Sequence, residues 1–400
     1  MQTLLKAHTE STVERIKSHP MVLAVQDTTT LNYTWHWSIE GLGPINTKKD
    51  KGTGLLLHGT MAFTPRGTPL GLLNVQCWAR DPAQAGKKYR RKELPIEEKE
   101  SLKWLTSYRA VAEIQKVCPE TTLVSVGDRE SDIYELFCEA QKNPDGPQLL
   151  IRAERSRKRK VETEYLWDRM SREEISGCQV VYIPRRGSRA AREAKLEIRF
   201  AKVALKAPKD SKLPSVSLYA VYAREVAYEA HVKEPVDWMI LTTLRVESFE
   251  DAAACLSWYA QRWNIELYHK TLKSGCRIED RWLDDVESLE ACLAIDLVVA
   301  WRVLWLTKAA RETPDAPCDS FFDRDEWRVL AAWATKKPPP AQPPTLRQAV
   351  RIVGALGGFL GRKGDGNPGI TTVWRGLQKL EAMTLGFTLA EAQLRQRDGP

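Results

Sequence analysis

No stretch of this 400-residue chain is apolar for long enough to span a bilayer. Its opening, Met1-Gln-Thr-Leu-Leu-Lys-Ala-His8, does not have the shape of a signal peptide. The 8 cysteines include no Cys-x2-Cys pair and no Cys/His cluster. That argues against structural zinc and for reduced thiols in a cytosolic protein. The 6 histidines are dispersed, and the chain has neither an internal repeat nor a Gly-rich phosphate loop. What remains is a chain long enough for a large core and two or three domains. Its balance is basic, with 60 Lys+Arg against 52 Asp+Glu and a formal charge of +8, which favours a polyanionic partner.

One stretch places charge beside an apolar face. Tyr259-Ala-Gln-Arg262-Trp263-Asn-Ile-Glu266-Leu-Tyr-His-Lys270-Thr-Leu-Lys273 is predicted to lie in a single helix. Ser248 and Asp251 form a capping box, and residues 252–272 contain neither Gly nor Pro. At about 100° per residue, Tyr259, Arg262, Glu266 and Lys273 fall within a stripe roughly 60° wide. Ala252, Leu256, Trp263 and Leu267 form an apolar stripe beside it. Helix charges ordinarily make a solvated face opposite the apolar one. Charges at its edge suit a cleft that binds phosphate and metal.

The chain in order supplies two more carboxylates. Residues 21–26 form a short apolar run suited to a buried strand, with Asp27 at its end. Residues 54–63 and 69–78 read as two strands joined by a turn at 64–68, and 80–100 as a charged loop. A helix is expected over 101–118 and a strand over 122–127, ended by Asp128. A helix then runs to about residue 141, and a fifth strand covers 148–153. The helix dipole accounts for Glu130 and Asp132 at a helix start. Asp128 instead repeats the strand-end placement of Asp27, and so reads as a ligand.

From Arg152 the composition changes. Arg152, Arg155, Arg157, Lys158, Arg159 and Lys160 form one basic cluster, and Arg185, Arg186, Arg189 and Arg192 another. Strand-like runs follow at 179–183, 195–205, 215–226 and 237–243, an inserted, mainly β region whose basic clusters suit phosphate contact. Trp238, taken alone, reads as a core tryptophan. Helices are expected over 285–311, 345–356 and 371–385, with a stiff linker at Pro338–Pro340 and Pro343–Pro344.

Tyr259-x2-Arg262-x3-Glu266-x6-Lys273 resembles the signature of bacterial insertion-sequence transposases of the YREK group. Gln26-Asp27-Thr-Thr-x-Leu-x-Tyr33 and Gly127-Asp128-Arg-Glu-x-Asp132 resemble that family's two aspartate segments. Leu356-Gly-Gly-Phe359, Gly361–Gly366 and Val373-Trp-Arg-Gly-Leu377 resemble its C-terminal helical region. The resemblance covers about residues 22–385. It implies a cut-and-paste DDE transposase with an α/β, RNase H-like mixed sheet flanked by helices. It also implies four parts: the first part of the catalytic core at 1–150, the inserted β subdomain at 151–240, the rest of the core with the Glu helix at 241–311, and a helical dimerisation region at 312–400.

The implied chemistry is phosphodiester cleavage without a covalent intermediate, through end nicking, hairpin formation and strand transfer. Two Mg²⁺ or Mn²⁺ ions about 4 Å apart serve such reactions, and hard cations take oxygen ligands. Asp27, Asp128 and Glu266 are the expected metal ligands and catalytic residues. Arg262, Lys273 and Tyr259 are expected on the DNA backbone, with Arg262 and Lys273 acting on DNA rather than on fold stability. Lys270 is expected to add a contact, and Trp238 to pack near a flipped base, as the resemblance implies.

The expected partners are double-stranded DNA, as transposon ends and target, and a second copy in a dimer. No membrane is expected as a partner. The expected location is the bacterial cytoplasm at the nucleoid. Full-length relatives carry an N-terminal helical domain that recognises the ends, and only 26 residues precede Asp27. The alternative expectation is therefore a truncated, inactive copy that inhibits transposition through mixed dimers with the full-length enzyme.

Overall fold

The apolar runs of the N-terminal half become the strands of one sheet. The computed structural model describes residues 1–45, 52–84, 94–183, 191–209, 211–228, 232 and 234–397. Helix α1 (Gln2–Ile16) precedes β1 (Met21–Asn32), β2 (Gly43–Pro44), β3 (Thr53–Phe63) and β4 (Pro69–Trp78). Then come α2 (Leu102–Val117), β5 (Thr122–Gly127), α3 (Tyr134–Lys142) and β6 (Gln148–Arg152). The next elements are β7 (Lys160–Val161), β8 (Glu164–Tyr165), α4 (Leu166–Ser171), β9 (Gly177–Ile183), β10 (Arg192–Leu205), β11 (Val216–Glu225) and β12 (Asp237–Thr242). Helices α5 (Phe249–Ala260), α6 (Trp263–Lys270), α7 (Val286–Glu312), α8 (Arg324–Thr335), α9 (Leu346–Leu356) and α10 (Ile370–Arg397) follow. No helix among the described residues is long and apolar enough to cross a membrane.

Two compact units divide the chain. Residues 6–34 and 42–266 make one, and residues 1–5, 35–41 and 267–400 the other. The first contains the sheet. Its strands order as β2-β3-β1-β5-β6-β12-β11-β10-β7-β8, with β4 on β3 and β9 on β10. Within it, β4, β3 and β1 pair antiparallel, while β1, β5 and β6 pair parallel. Helix α2 leads into β5 and α3 into β6. This β4-β3-β1-β5-β6 order with its two helical crossovers is the RNase H-like arrangement. Its central strands are buried on both faces: Val22 to Val25, Leu55 to Leu57 and Leu123, Val124 and Val126 are nearly inaccessible.

Past β6 the sheet continues with reversed strands. Antiparallel pairing sets Ile240 of β12 opposite Arg152 of β6. Val203, Leu218 and Met239 share one hydrophobic cluster with Trp104 and Tyr108 of α2 and Phe137 of α3. The strands of 177–242 thus extend the core sheet and bury their apolar faces against the same helices. Arg185, Arg186 and Arg189 lie outside the described residues.

In the second unit, α7, α8, α9 and α10 surround their own core of Val303, Leu306, Leu330, Val350, Val353 and Val373. Helix α8 was not among the expected elements, although Asp323 and Glu326 form a capping box at its start. Thr345 and Gln348 do the same for α9. Helices α9 and α10 approach to backbone contact at Gly376, where a Cβ would lie 1.8 Å from the Val353 carbonyl oxygen.

Two local expectations are corrected. Asp27 does not end its strand: β1 runs on to Asn32, because β3 continues to pair with it as far as Gly54. Asp132 is not a first-turn acid of a helix, since α3 begins at Tyr134. It is fully buried and accepts from Arg159 Nε at 2.9 Å and Nη2 at 2.7 Å, and from the Glu154 backbone N–H at 2.9 Å. Asp132→Ala should therefore leave the Arg159 guanidinium buried without its counter-charge, lowering stability by about 3–5 kcal/mol. Glu113→Ala, which breaks an exposed pair with Lys116, should cost less than about 1 kcal/mol. Urea denaturation monitored by circular dichroism measures both, and equal losses would contradict a buried pair that holds residues 152–160 in place.

Candidate active site

The three expected carboxylates lie in the sheet-containing unit, on three separate elements. The β1–β5 ladder ends at Val25 opposite Val126. Asp27 and Asp128 each stand two residues beyond that pair, so both leave the ladder in step. Just before them, Gln26 Nε2 donates to Ser125 Oγ at 2.7 Å in a buried bond that ties the two strands together. The Thr28 hydroxyl and His58 Nδ1 are 2.8 Å apart, binding β1 to β3 on its other side. Asp128 also keeps the ordinary use of an acid after a strand. Its Oδ1 accepts the Glu130 backbone N–H at 2.8 Å, capping a short 3₁₀ turn over Arg129–Ser131.

Glu266 reaches the site from a helix that is not continuous. The single helix expected over 252–272 is divided into α5 and α6 by a turn at Gln261 and Arg262. Here the backbone bonds shorten to three-residue spacing: Arg262 to Tyr259 at 3.0 Å, Asn264 to Gln261 at 2.9 Å and Ile265 to Arg262 at 3.2 Å. Asn264 Nδ2 also donates to the Gln261 carbonyl at 3.0 Å, competing with the α-helical bond. The β3–β4 turn packs on this break. Gly67, at φ +91°, has no side chain where a Cβ would come within 2.4 Å of Gln261 Oε1 and 2.8 Å of Asn264 Nδ2.

The break places Arg262 among the carboxylates. Its Nη2 donates to Glu266 Oε1 at 2.5 Å, and its Nη1 is 3.9 Å from Asp27 Oδ2. The guanidinium is 16% exposed and the Asp27 side chain 18%. Burial pushes the Asp27 carboxyl up to about 7, against the opposing pull of Arg262. Repulsion from Asp128 and Glu266 adds to the rise, and the Thr28 backbone N–H opposes it. Asp27 therefore feels both of the other acids. Burial works against the charge of Arg262, yet its partners raise its pKa overall. Of those partners we assign the effect to Asp27 and Glu266, because burial also raises the Tyr259 phenol and keeps it neutral near pH 7.

Tyr259 is buried and lies within electrostatic reach of Arg262, Arg152 and Asp128. Trp238 of β12 meets the Tyr259 ring edge to face, with centroids 5.4 Å apart. Arg152 is thus a member of the cluster. The sequence shows it only as one of six cations in a row, with nothing to separate it from its neighbours.

The remaining two expected residues fall in the other unit. Lys273 lies in a π-helical turn over Thr271–Gly275, with its Nζ 3.6 Å from Glu279 Oε1. Lys270 is exposed at the end of α6. The expected stripe therefore gathers Tyr259, Arg262 and Glu266 at the aspartates, while Lys273 has a carboxylate partner of its own.

The donors suit a hard divalent cation: oxygen only, from three carboxylates whose mutual repulsion a cation would relieve. As the side chains stand, however, no group of three His, Cys, Asp or Glu among the described residues forms a ready metal cage. The Arg262 guanidinium holds the position of positive charge between Asp27 and Glu266.

Comparison with known proteins adds two findings. The family model of the transposase Tn5 dimerisation domain matches residues 298–394, which cover α8, α9 and most of α7 and α10. A cryo-EM structure of a piggyBac transposase synaptic complex with hairpin DNA is similar at 7% identity and a TM-score of 0.36, covering 78% of this chain and 54% of the other. The chain thus spans about half the length of that relative, and its C-terminal region is similar to a transposase domain.

Proposed function

We propose that this chain is a DNA transposase of the DDE type that carries out metal-dependent phosphoryl transfer on DNA. What supports this reading is the placement, around an RNase H-like sheet, of Asp27 on β1, Asp128 just past β5 and Glu266 on α6. Asp27 is electrostatically coupled to the other two and to the guanidinium of Arg262. Glu and Asp in this arrangement would hold Mg²⁺ or Mn²⁺. When bound, two such ions supply Lewis acidity for an attacking water or 3′ hydroxyl and for the leaving oxygen.

The protein's own groups do the positioning. Arg262, whose planar fork already spans two carboxylates, suits bidentate contact with a backbone phosphate. Tyr259 keeps its proton near neutral pH and has a hydroxyl to donate to a phosphate oxygen. Trp238, packed on that ring, gives an aromatic edge to the same corner. End nicking, hairpin formation and strand transfer are the steps this chemistry supports.

The match over residues 298–394 supports pairing of two copies, and the exposed Leu385, Leu389 and Leu394 give α10 apolar surface for it. The same region, acting without a competent catalytic centre, would make inactive mixed dimers with a full-length copy.

Nicking of supercoiled plasmid by the purified chain with Mn²⁺ tests the catalytic assignment. Asp27→Ala, Asp128→Ala and Glu266→Gln should each reduce the rate by about 100-fold or more. Undiminished nicking by Asp128→Ala would exclude these carboxylates. Arg262→Ala should behave differently from a simple DNA contact. It removes the counter-charge from two carboxylates, so the metal-free protein should be destabilised by about 1–3 kcal/mol, and Mn²⁺ should restore part of that stability. A thermal midpoint unchanged by the substitution, with and without Mn²⁺, would show that Arg262 does not hold the carboxylates together.

A further inference from the structure

A cavity of about 360 Å³ opens in the helical unit, between the end of α6, the last turns of α7 and the first turn of α10. Its described lining carries three cations, Lys270, Lys308 and Arg311, and no carboxylate. Lys308 is half-buried, and burial lowers its pKa. The neighbouring Glu312 opposes that shift and Arg311 adds to it, and Glu312 is not in the lining. A cation drawn partly out of water beside another cation is stabilised by an anion. The first turn of α10, which carries the positive end of a 28-residue helix and no acid, closes the same wall.

The cationic surface extends past the cavity. Thr307 and Arg311 also line an adjoining shallow depression with Arg347 and Arg351. Arg347 faces the exposed Asp315 at 3.6 Å, and Arg351 lies over the Phe359 ring. An exposed pair of that kind holds its arginine weakly. The result is five cations around two adjoining depressions, more than a single phosphate group requires.

We infer that this groove binds the phosphodiester backbone of a DNA strand, with Lys270, Lys308 and Arg311 on phosphates in the cavity and Arg347 and Arg351 extending the site. This site is separate from the carboxylate cluster, and it rests on the reading that the chain handles DNA. A free phosphate or nucleotide offers the same chemistry at one point. The five cations and the chain's +8 charge favour the polymer.

Lys308→Gln, Arg311→Gln and the double variant test the groove, because glutamine keeps part of the aliphatic stem and removes the charge. Binding of a random-sequence duplex is followed by fluorescence anisotropy between ~50 and ~200 mM salt. The slope of log affinity against log salt should fall by about 0.9 for each phosphate no longer neutralised, and so by about two units in the double variant. A double variant with the wild-type thermal midpoint and an unchanged slope overturns the inference. If the double variant does not fold, Arg311→Gln alone, at an exposed position, should show about half the change, and an unchanged slope there overturns it equally.

Two further outcomes would reassign the groove. Thermal protection of the wild type by inorganic phosphate or ADP, with the DNA slope unaltered in the variants, would make a small phosphate ligand its occupant. A change in sedimentation mass with the slope unaltered would make an acidic face of a second copy its occupant. A wild-type chain with no affinity for duplex would overturn the transposase reading itself, an outcome separate from failure of the groove alone.

Discussion

The carboxylate cluster depends on one guanidinium among like charges. Three carboxylates drawn from β1, the end of β5 and α6 repel one another, and burial of Asp27 increases that penalty. Arg262 offsets this with a short bond to Glu266 and a longer contact to Asp27. It can do so because the helix breaks at Gln261 and Arg262. In an unbroken helix, Arg262 and Glu266 would still be neighbours one turn apart. The turn adds freedom for the guanidinium to face β1 as well. The break is in turn held by Asn264 and by a hairpin turn whose Gly67 makes room for it. A surface turn between two strands thereby governs the position of a charge in the cluster.

The sheet imposes the second constraint. Side chains alternate along a strand, so a one-residue slip between β1 and β5 would send one aspartate to the opposite face. The buried Gln26–Ser125 bond stands one residue before Asp27 and three before Asp128, and the Thr28–His58 contact secures β1 from the side of β3. Polar groups in so apolar a sheet are specific by necessity, because each costs free energy when left unpaired.

Much of this was legible in the sequence where local chemistry and tertiary context agree. The strand Thr122–Gly127 is an apolar run stopped by Gly-Asp, and it forms over those residues. The Ser248–Asp251 capping box forms as its spacing requires. Elsewhere the deciding partner is remote. Asp27 reads as the end of its strand, but β3 lies alongside and the threonines that follow are good strand formers, so the strand continues. The helix break carries no Gly or Pro to announce it, since its cause is Asn264 together with a hairpin about 200 residues earlier. Asp132 resembles an ordinary helix-start acid until Arg159, 27 residues on, is folded against it.

Charge alone does not locate a partner, for a physical reason. The basic run after Arg152 is not uniform: Arg159 is held in a buried pair, whereas the contacts of Arg155 and Arg157 are exposed and hold their arginines weakly. Arg159 is locked to Asp132, Arg155 pairs with Asp237 at 3.0 Å, and Arg157 donates to the Glu130 carbonyl at 3.2 Å. Arg152 donates to the Asp237 carbonyl at 3.2 Å. Cations adjacent in sequence can each find a different acceptor once a sheet brings distant carboxylates and carbonyls alongside them. Net charge therefore states that a polyanion is attracted, without stating where. The location follows from cations gathered in a concave surface that lacks acids. In this chain the cavity walled by Lys270, Lys308 and Arg311 has that character, although those residues come from segments that no sequence window joins.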